Sequence, residues 1–487
     1  MFSPALGREL GASVVVFLVA LPLCVGVAVA SGLPAEAGLI TGIVGGIVVG
    51  LLPGSTLQVS GPAAGLTVLV FEAVHTYGVA ALGVIVVSAG LLQVLLGALR
   101  LGRWFRAVSV SVVEGMLAGV GLVIIAGQVY AMADRAAPTT GLGKVMGVPE
   151  LVGGLFGSAQ ALTAAAVGAG TVLVMALWRR VPGPLRVVPG PLVAVALATG
   201  ATSLLGLPLK KVEVQGLFEA VHPVSPGDFG QLAQVGVLGT VLAFTLIASA
   251  ESLFSAAAVD RLHSGPRTDY DKELMAQGAG NTLCGVLGAL PMTAVIVRSS
   301  ANVDAGARTR ASRVLHGVWL LLFAALLPFA LALIPVAALA GVLVHAGWKL
   351  LPLRQVRTMW REHRAEAGIM VVTALAIVVV NMFEGVLIGL ALSVVKSAWD
   401  TSHLRTRVHD RGTGPIQVSL TGNATFLRLP AILDTLEALP ADRPVRLDLS
   451  GVRHLDHACA TALASWTERH NSSGQEARIT EQASTAT

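Results

Sequence analysis

The chain has 487 residues, of which 54% are hydrophobic and 13% are charged, and its formal net charge is +5 at pH 7. These proportions exclude an ordinary soluble protein and predict a membrane protein. The three scattered cysteines exclude a disulfide framework and a tetrahedral metal site. The basic residues form short clusters between hydrophobic runs, so nucleic acid is not a predicted partner.

Apolar runs recur from the N-terminus to about residue 400, and most are long enough to cross a hydrocarbon core of about 30 Å. The first run lacks a cleavage context and is predicted to be a span, not a signal peptide. We predict about 14 segments in two series of seven. The first series lies near residues 10–30, 36–52, 62–74, 79–99, 108–130, 158–178 and 191–207. The second lies near residues 236–258, 272–290, 292–302, 308–328, 333–348, 367–382 and 384–399.

The arginine and lysine clusters indicate how the segments are oriented. They follow even-numbered segments, as Arg308, Arg310 and Arg313 do after the tenth, whereas odd-numbered connections carry few basic residues or mix them with acids. Because basic connections stay on the cytoplasmic side, both termini are predicted to be cytoplasmic.

Two of the predicted segments are short, and each is third in its series. One begins at Pro62 and the other at Pro291, and the residues TLQVS before Pro62 have the alternating character of a short strand. Matching short segments predict two half-helices that meet N-terminus to N-terminus near the bilayer midplane. Their free N–H groups and positive dipole ends would attract an anion.

Arg298 lies about two turns into the second short segment. Its guanidinium stays protonated even where it is poorly solvated, and a charge at membrane depth is by default a functional residue. The alternative is that Arg298 reaches toward the cytoplasmic surface beside Arg308 and Arg310.

Three stretches together resemble the sulfate permease family of anion transporters, the bacterial relatives of solute carrier family 26. They are LVALPLCVGVAVASGLPAEAGLITGIVGGIVVGLLPGSTLQVSGPAAGLTVLV, AESLFSAAAVDRL and LPMTAVIVRSSANVDAGARTR. The resemblance implies a 7+7 inverted repeat of the uracil-permease type, with a substrate cavity between spans one, three, eight and ten. It implies that a core domain moves against a gate domain of spans 5 to 7 and 12 to 14. It also implies a homodimer in the bacterial inner membrane.

The hydrophobicity falls after Asp400, and strand-like and helix-like patterns alternate. The residues VRLDLSGVRHLDHACATAL resemble the central strand, loop and helix of a STAS domain, with Asp448 and Asp456 at the acidic positions. His457 follows Asp456 where stand-alone regulators carry a phosphorylatable serine, so phosphorylation is not expected there. We predict a transport domain over 1–400, with repeats at about 8–207 and 236–400. We predict a STAS domain over 401–487, of which the polar residues 471–487 form a disordered tail.

The resemblance and the half-helix geometry together give a predicted substrate site. In the family, the acidic residue at the position of Glu251 lines the substrate site, and Arg298 is predicted to supply the positive charge. The helix starts supply mainly backbone N–H groups, from Gly61, Ala63, Ala64, Gly65, Thr293 and Ala294.

Two carboxylates are candidates for ion coupling. Glu251 could take up a proton or, with Ser255 one turn later, hold a sodium ion; a compatible alternative is that Glu251 pairs with Arg298. Glu36 begins the second span and is a candidate for proton coupling, whereas the alternative is an exposed carboxylate at a helix start.

The leading hypothesis is a secondary active transporter of a small anion such as sulfate, bicarbonate, chloride or a dicarboxylate, coupled to protons or sodium ions. A nucleobase permease on the same fold is the second hypothesis, but a neutral base would not require Arg298. An uncoupled exchanger or channel, or a non-transporting STAS-dependent signalling protein, is the third. No cofactor is expected. The chain is not expected to be an enzyme, because no nucleophile, base and orienting group converge at a recognisable spacing.

Overall fold

The computed structural model describes residues 4–103, 109–181, 188–214, 216–440, 442–472 and 476–480. The chain divides into two compact units, Met1–Leu390 and Ala391–Thr487. The first unit is mainly helical and contains a two-stranded ribbon, and the second contains a four-stranded sheet.

The first half of the helical unit follows the predicted series closely. Two short helices, α6 and α7, lie in the connection between the fifth and sixth predicted segments, where none was predicted. The helices are α1 (Pro4–Ala30), α2 (Ala35–Val44), α3 (Thr67–Tyr77), α4 (Val79–Ala98), α5 (Val110–Met132), α6 (Gly141–Met146), α7 (Val148–Leu155), α8 (Ala159–Leu177) and α9 (Gly190–Leu204).

The second half begins with a long helix, and the short helix α12 lies at the position of the short third predicted segment. Its helices are α10 (Val235–Val259), α11 (Tyr270–Val286), α12 (Ile296–Asp304), α13 (Ala311–Leu326), α14 (Pro328–Leu331), α15 (Val336–Leu350), α16 (Leu353–Glu362), α17 (Arg364–Val379) and α18 (Met382–Thr401).

Within the described ranges, 7 helices are long and apolar enough to cross a membrane, and shorter apolar helices accompany them. Large apolar side chains face outward from this unit, such as Leu204 at 88% and Val235 at 84% exposure. Exposed apolar surface of this extent is typical of a protein that faces lipid. The total of about 14 segments stays a prediction.

Glycines bring α4 and α11 into backbone contact. Gly83, Gly90 and Gly97 recur every seven residues on α4, and Gly278 and Gly285 do so on α11. A Cβ atom on Gly278 would lie 2.6 Å from the backbone oxygen of Gly90, so no larger residue fits without a shift. Small residues allow this close packing of helices in a membrane, and α11 is thereby held where its polar side chains reach the ribbon.

The second unit is an α/β unit with strands in the order β3-β4-β5-β6. The pair β3–β4 is antiparallel, and β4–β5 and β5–β6 are parallel. Alternate strand residues such as Ile416, Val418 and Leu447 fill its core. The elements are β3 (Leu404–His409), β4 (Ile416–Ala424), α19 (Leu429–Glu437), β5 (Val445–Leu455), α20 (His457–Ser472) and β6 (Ala477–Thr480).

The predicted disordered tail is partly wrong. Ala477–Thr480 form β6, which pairs in parallel with β5. The polar composition concealed this strand, because its burial comes from the neighbouring strand and not from its own sequence pattern. Residues 481–487 lie outside the described residues.

Candidate functional site

Two short strands from the two halves of the helical unit form a ribbon. The strand β1 (Ser60–Pro62) pairs antiparallel with β2 (Met292–Ala294). A 3-10 turn leads from β1 into α3, and α12 follows β2. Both helices therefore begin beside one ribbon. No side chain caps either start, although the Thr67 N–H bonds to Ala64 O in the turn before α3.

The two prolines do not occupy the first helical turn, where the sequence analysis placed them. Pro62 is the last residue of β1, and Pro291 comes before β2, so that α3 begins at Thr67 and α12 at Ile296. Proline has no N–H to donate to a strand ladder, and it therefore fits at the end of a strand. The positions of the two short segments were predicted well, but their first residues are extended.

The strand β1 lies later in the chain than predicted, and this changes the expected role of the backbone N–H groups. The strand predicted over TLQVS shares only Ser60 with β1. Ala294 donates its N–H to Ser252 Oγ at 3.3 Å, so it is not the free donor that was predicted. Of the six predicted N–H donors, three lie in the strands, namely Gly61, Thr293 and Ala294. The other three, Ala63, Ala64 and Gly65, lie in the turn before α3.

Amide side chains of α11 hold the ribbon in place. Asn281 Oδ1 accepts from the Met292 N–H at 2.7 Å, and Asn281 Nδ2 donates to Gln93 Oε1 at 2.8 Å. Gln277 Nε2 donates to Ser60 Oγ at 2.6 Å. Sequence reasoning missed these residues. Their signal was present, because amides inside apolar segments need partners.

Polar side chains of α12 fix the chain that leads into β1. Ser299 Oγ accepts from the Val59 N–H at 2.9 Å, and Asn302 Nδ2 donates to Leu57 O at 2.9 Å. Ser299 and Asn302 are fully buried. These bonds cross between the two halves of the unit and set where the neighbouring Arg298 lies.

Arg298 is fully buried against β1. Its Nη2 donates to Pro62 O at 3.4 Å, whereas Nε and Nη1 have no hydrogen-bond partner among the described residues. Gly61 provides the space, because a Cβ atom there would overlap Nη1. A permanent charge with two unused donors is costly in a protein interior, and an anion would satisfy both of them.

The geometry around Arg298 also bears on the two alternatives raised by the sequence. The guanidinium lies beside Cys24 of α1, in the interior and not at the protein surface beside Arg308. Among the described residues, no ion pair joins Arg298 to Glu251. Neither alternative describes this arrangement.

Glu251 lies on α10 against the start of α3. The carboxylate is so close to Gly65 that a Cβ atom on this glycine would overlap it, and it interacts with the Thr293 side chain. Ser255, one turn later, donates its hydroxyl to Ala294 O at 2.9 Å. A carboxylate, two hydroxyls and a carbonyl therefore gather beside β2, which is the oxygen donor set that a hard cation prefers.

The profile of the sulfate permease family matches residues 6–373, and the profile of a STAS domain of the Mlab type matches residues 409–483. The chain belongs to the sulfate permease family. The family is one of transporters, so the expectation that the chain is not an enzyme is confirmed.

Sulfate permease relatives align along most of the chain. It is 29% identical to the putative sulfate transporter YvdB of Bacillus subtilis, over 84% of this chain and 76% of that protein. It is 26% identical to the bicarbonate transporter BicA of Picosynechococcus sp., over 92% of this chain and 83% of that protein.

Two solved structures share the fold of this sulfate permease protein. The transmembrane domain of a cyanobacterial BicA has a TM-score of 0.68 at 23% identity, covering 81% of this chain and 98% of that one. The structure of murine solute carrier 26 family member A9 in the inward-facing state has a TM-score of 0.79 at 18% identity, covering 98% and 86%.

Glu36, the second coupling candidate, lies at the start of α2 in this family member. It begins α2, as predicted, and is buried, at 2% exposure. Its Oε1 accepts from the Gly216 N–H at 3.1 Å, in the connection between α9 and α10. The carboxylate therefore bonds to that connection, and the alternative of an exposed carboxylate is wrong.

In the STAS unit, Asp456 comes just before α20. Its Oδ1 accepts from the Cys459 N–H at 2.8 Å and its Oδ2 from the Phe426 N–H at 2.5 Å. These bonds, with that from Cys459 first, hold the pKa of Asp456 below its usual range. Asp456 thus caps the helix with its own negative charge, and the exposed His457 follows it.

Proposed function

We propose that this sulfate permease protein is a secondary active transporter of small anions, of the sulfate, bicarbonate or dicarboxylate class. The names of its relatives support this class, since they include sulfate and bicarbonate transporters. The observation that carries the proposal is Arg298, a fully buried cation with two unused donors beside two uncapped helix starts.

In the proposed site, the anion lies between the start of α3 and Arg298. Gly61 leaves space for the guanidinium, which offers Nε and Nη1 to the anion. The N–H groups at the turn Ala63–Gly65 add dipole attraction, and Thr293 and Ala294 of β2 form the opposite wall.

The proposed coupling site lies beside the anion site. Glu251, Ser255 and the carbonyl of Ala294 form a donor set for one sodium ion, and Glu251 alone would serve for a proton. Glu36 is a second candidate for proton coupling, and it would act through its bond to the connection that contains Gly216. The coupling ion is cargo in this proposal, and no resident cofactor is assigned.

The proposed architecture comprises about 14 segments in a 7+7 inverted repeat. The repeats cover about 8–207 and 236–400 of a transport domain over 1–400, and 401–487 form the cytoplasmic STAS domain. Alternating access would move a core domain, with spans one, three, eight and ten around the site, against the gate domain. We further propose a homodimer in the bacterial inner membrane with both termini in the cytoplasm.

Uptake into proteoliposomes tests the proposal. The full-length protein is reconstituted, and labelled sulfate, bicarbonate, chloride and C4-dicarboxylates are each offered with and without an inward proton or sodium gradient. We expect one anion to accumulate only when one gradient is imposed. Uptake that ignores both gradients would instead identify an exchanger or channel, and the absence of any anion uptake would contradict the proposal.

A further inference from the structure

A small cavity with a mainly apolar lining lies on the face of α3 that packs toward α5 and α6. Its volume is about 50 Å³, and its polar lining consists of Thr67, Gln128 and Lys144. A space of this size holds a few water molecules or one small anion. Neither Arg298 nor Glu251 lines it, so it is separate from the site described above.

Lys144 presents a buried charge to this cavity. The side chain is 6% exposed, and its Nζ lies 4.9 Å from the centre of the Phe71 ring. A Cβ atom on Gly127 would lie 3.6 Å from Lys144 Cδ, so the aliphatic stem packs along this glycine. The ion pairs found among the described residues do not include Lys144.

Glu72 is the acid whose charge acts on Lys144. It follows Phe71 on α3 and lines a different cavity of about 250 Å³, together with Thr240 and Asn381. The two charges therefore belong to separate cavities on either side of α3. An ammonium on a largely buried side chain, with no ion-pair partner among the described residues, is costly, and a small anion in its cavity would lower that cost.

Thr67 supplies an independent observation. It is 5% exposed, lines the same cavity, and its Oγ1 has no hydrogen-bond partner among the described residues. As the first residue of α3, it lies two positions after Gly65, where Glu251 contacts the helix start. The cavity is thus lined by an unused hydroxyl at the start of α3 and by the side chain of Lys144.

We propose that this cavity is a second binding site for a small inorganic anion, held by Lys144 and Thr67. The anion class rests on the proposed function. An anion that approaches past α6 meets Lys144 first, and Thr67 lies next to the turn that begins the inner site. The second site therefore captures the anion on that side of the protein before it reaches Arg298.

Uptake kinetics with the anion found by the proteoliposome screen test the second site. Lys144→Met keeps the aliphatic stem and removes the charge, so we expect KM to rise about tenfold or more while kcat stays within about twofold. Lys144→Arg restores the charge and should return KM to within about threefold. Lys210→Met is the matched control, because Lys210 is 68% exposed and pairs with Asp134; its KM should not change.

Phe71→Leu separates a ligand role from a packing role. It removes the ring beside the ammonium but keeps the charge, so KM should stay within about twofold. A wild-type KM in Lys144→Met would overturn the proposal. Equal effects of Lys144→Met and Phe71→Leu, or failure of Lys144→Arg to restore KM, would show a packing role and would also overturn it.

A thermal unfolding assay tests anion binding without transport. The unfolding midpoint of the detergent-solubilised full chain is measured in sodium sulfate, bicarbonate or chloride at matched ionic strength. An anion that binds the folded state raises the unfolding midpoint. We expect Arg298→Ala to keep part of this rise and the double variant with Lys144→Met to lose it. If Arg298→Ala alone loses the whole rise, the second site is overturned and the proposed function stands. If the wild type transports no anion but keeps a rise that depends on Lys144, the proposed function fails and the second site stands.

Discussion

The starts of α3 and α12 lie beside the same ribbon but differ in chemistry. The approach to α3, from Gly61 to Gly65, carries only small side chains and a proline. The first turns of α12 carry Arg298, Ser299 and, further on, Asn302, all buried. The first half of the unit supplies space and backbone dipole, and the second supplies charge and the bonds that position it. Two helix starts beside one ribbon therefore need not share the same chemistry.

Removing the charge from the α12 side should have the largest effect. Arg298→Ala deletes two donors that are worth about 1.5–3 kcal/mol each to a charged partner, so anion affinity should fall by roughly 100-fold or more. Anion binding to the purified protein measures this loss. Arg308→Ala removes an exposed charge nearby in sequence and is the control. Unchanged affinity in Arg298→Ala would remove the basis of the proposed site.

Glu251→Gln should abolish coupling while anion binding persists. The amide keeps the size of the carboxylate but can neither carry a proton nor neutralise a sodium ion. We expect the stimulation of uptake by a gradient to disappear, while the uncoupled rate stays within about threefold of the wild type. Ser255→Ala should weaken only sodium stimulation, so a protein that responds to protons alone should not respond to that change. A full gradient response in Glu251→Gln would assign coupling elsewhere, with Glu36 next to be tested.

Gly61→Ala tests whether the α3 side contributes space. The new Cβ atom would overlap Arg298 Nη1, the end of a flexible side chain, so the protein should fold and the guanidinium should move. We expect anion affinity to fall about tenfold, which corresponds to about 1.4 kcal/mol. Gly170→Ala is the control, since a Cβ atom there meets no atom within 4 Å. Equal affinity in the two variants would show that the space at Gly61 is not needed.

Segment positions could be predicted because hydrophobic length and charge patterns are local properties of the chain. The short third segments and Arg298 were visible for the same reason. The ribbon register could not be read from the sequence, because β1 and β2 are more than 200 residues apart and pair only through tertiary packing. The positions of Asn281 and Gln277 under the ribbon follow from the contact of α4 with α11, which no local pattern specifies.

The start of α20 in the STAS unit differs from the starts of α3 and α12, because the carboxylate of Asp456 caps it. Asp456 accepts the Cys459 N–H of the first turn of α20 and also the Phe426 N–H from the turn before α19, whereas the starts of α3 and α12 have no capping side chain. A helix start that already holds a carboxylate has no need of a bound anion, so Asp456→Asn should leave transport unchanged. This contrasts with the effect expected for Arg298→Ala.

The effect of Asp456→Asn should appear in acid stability and should be the smallest of these. The pKa of Asp456 is lowered in the folded state, so its stabilisation is present above the unfolded pKa of about 3.9 and is lost as the pH falls through the folded value. The asparagine keeps an oxygen acceptor but has no charge to lose. The unfolding midpoint is measured for both full-length proteins from pH 6 to pH 3. We therefore expect the midpoint of the wild type to fall more over this range than that of Asp456→Asn. Parallel pH profiles would show that the N–H groups bonded to Asp456 do not favour a negative charge.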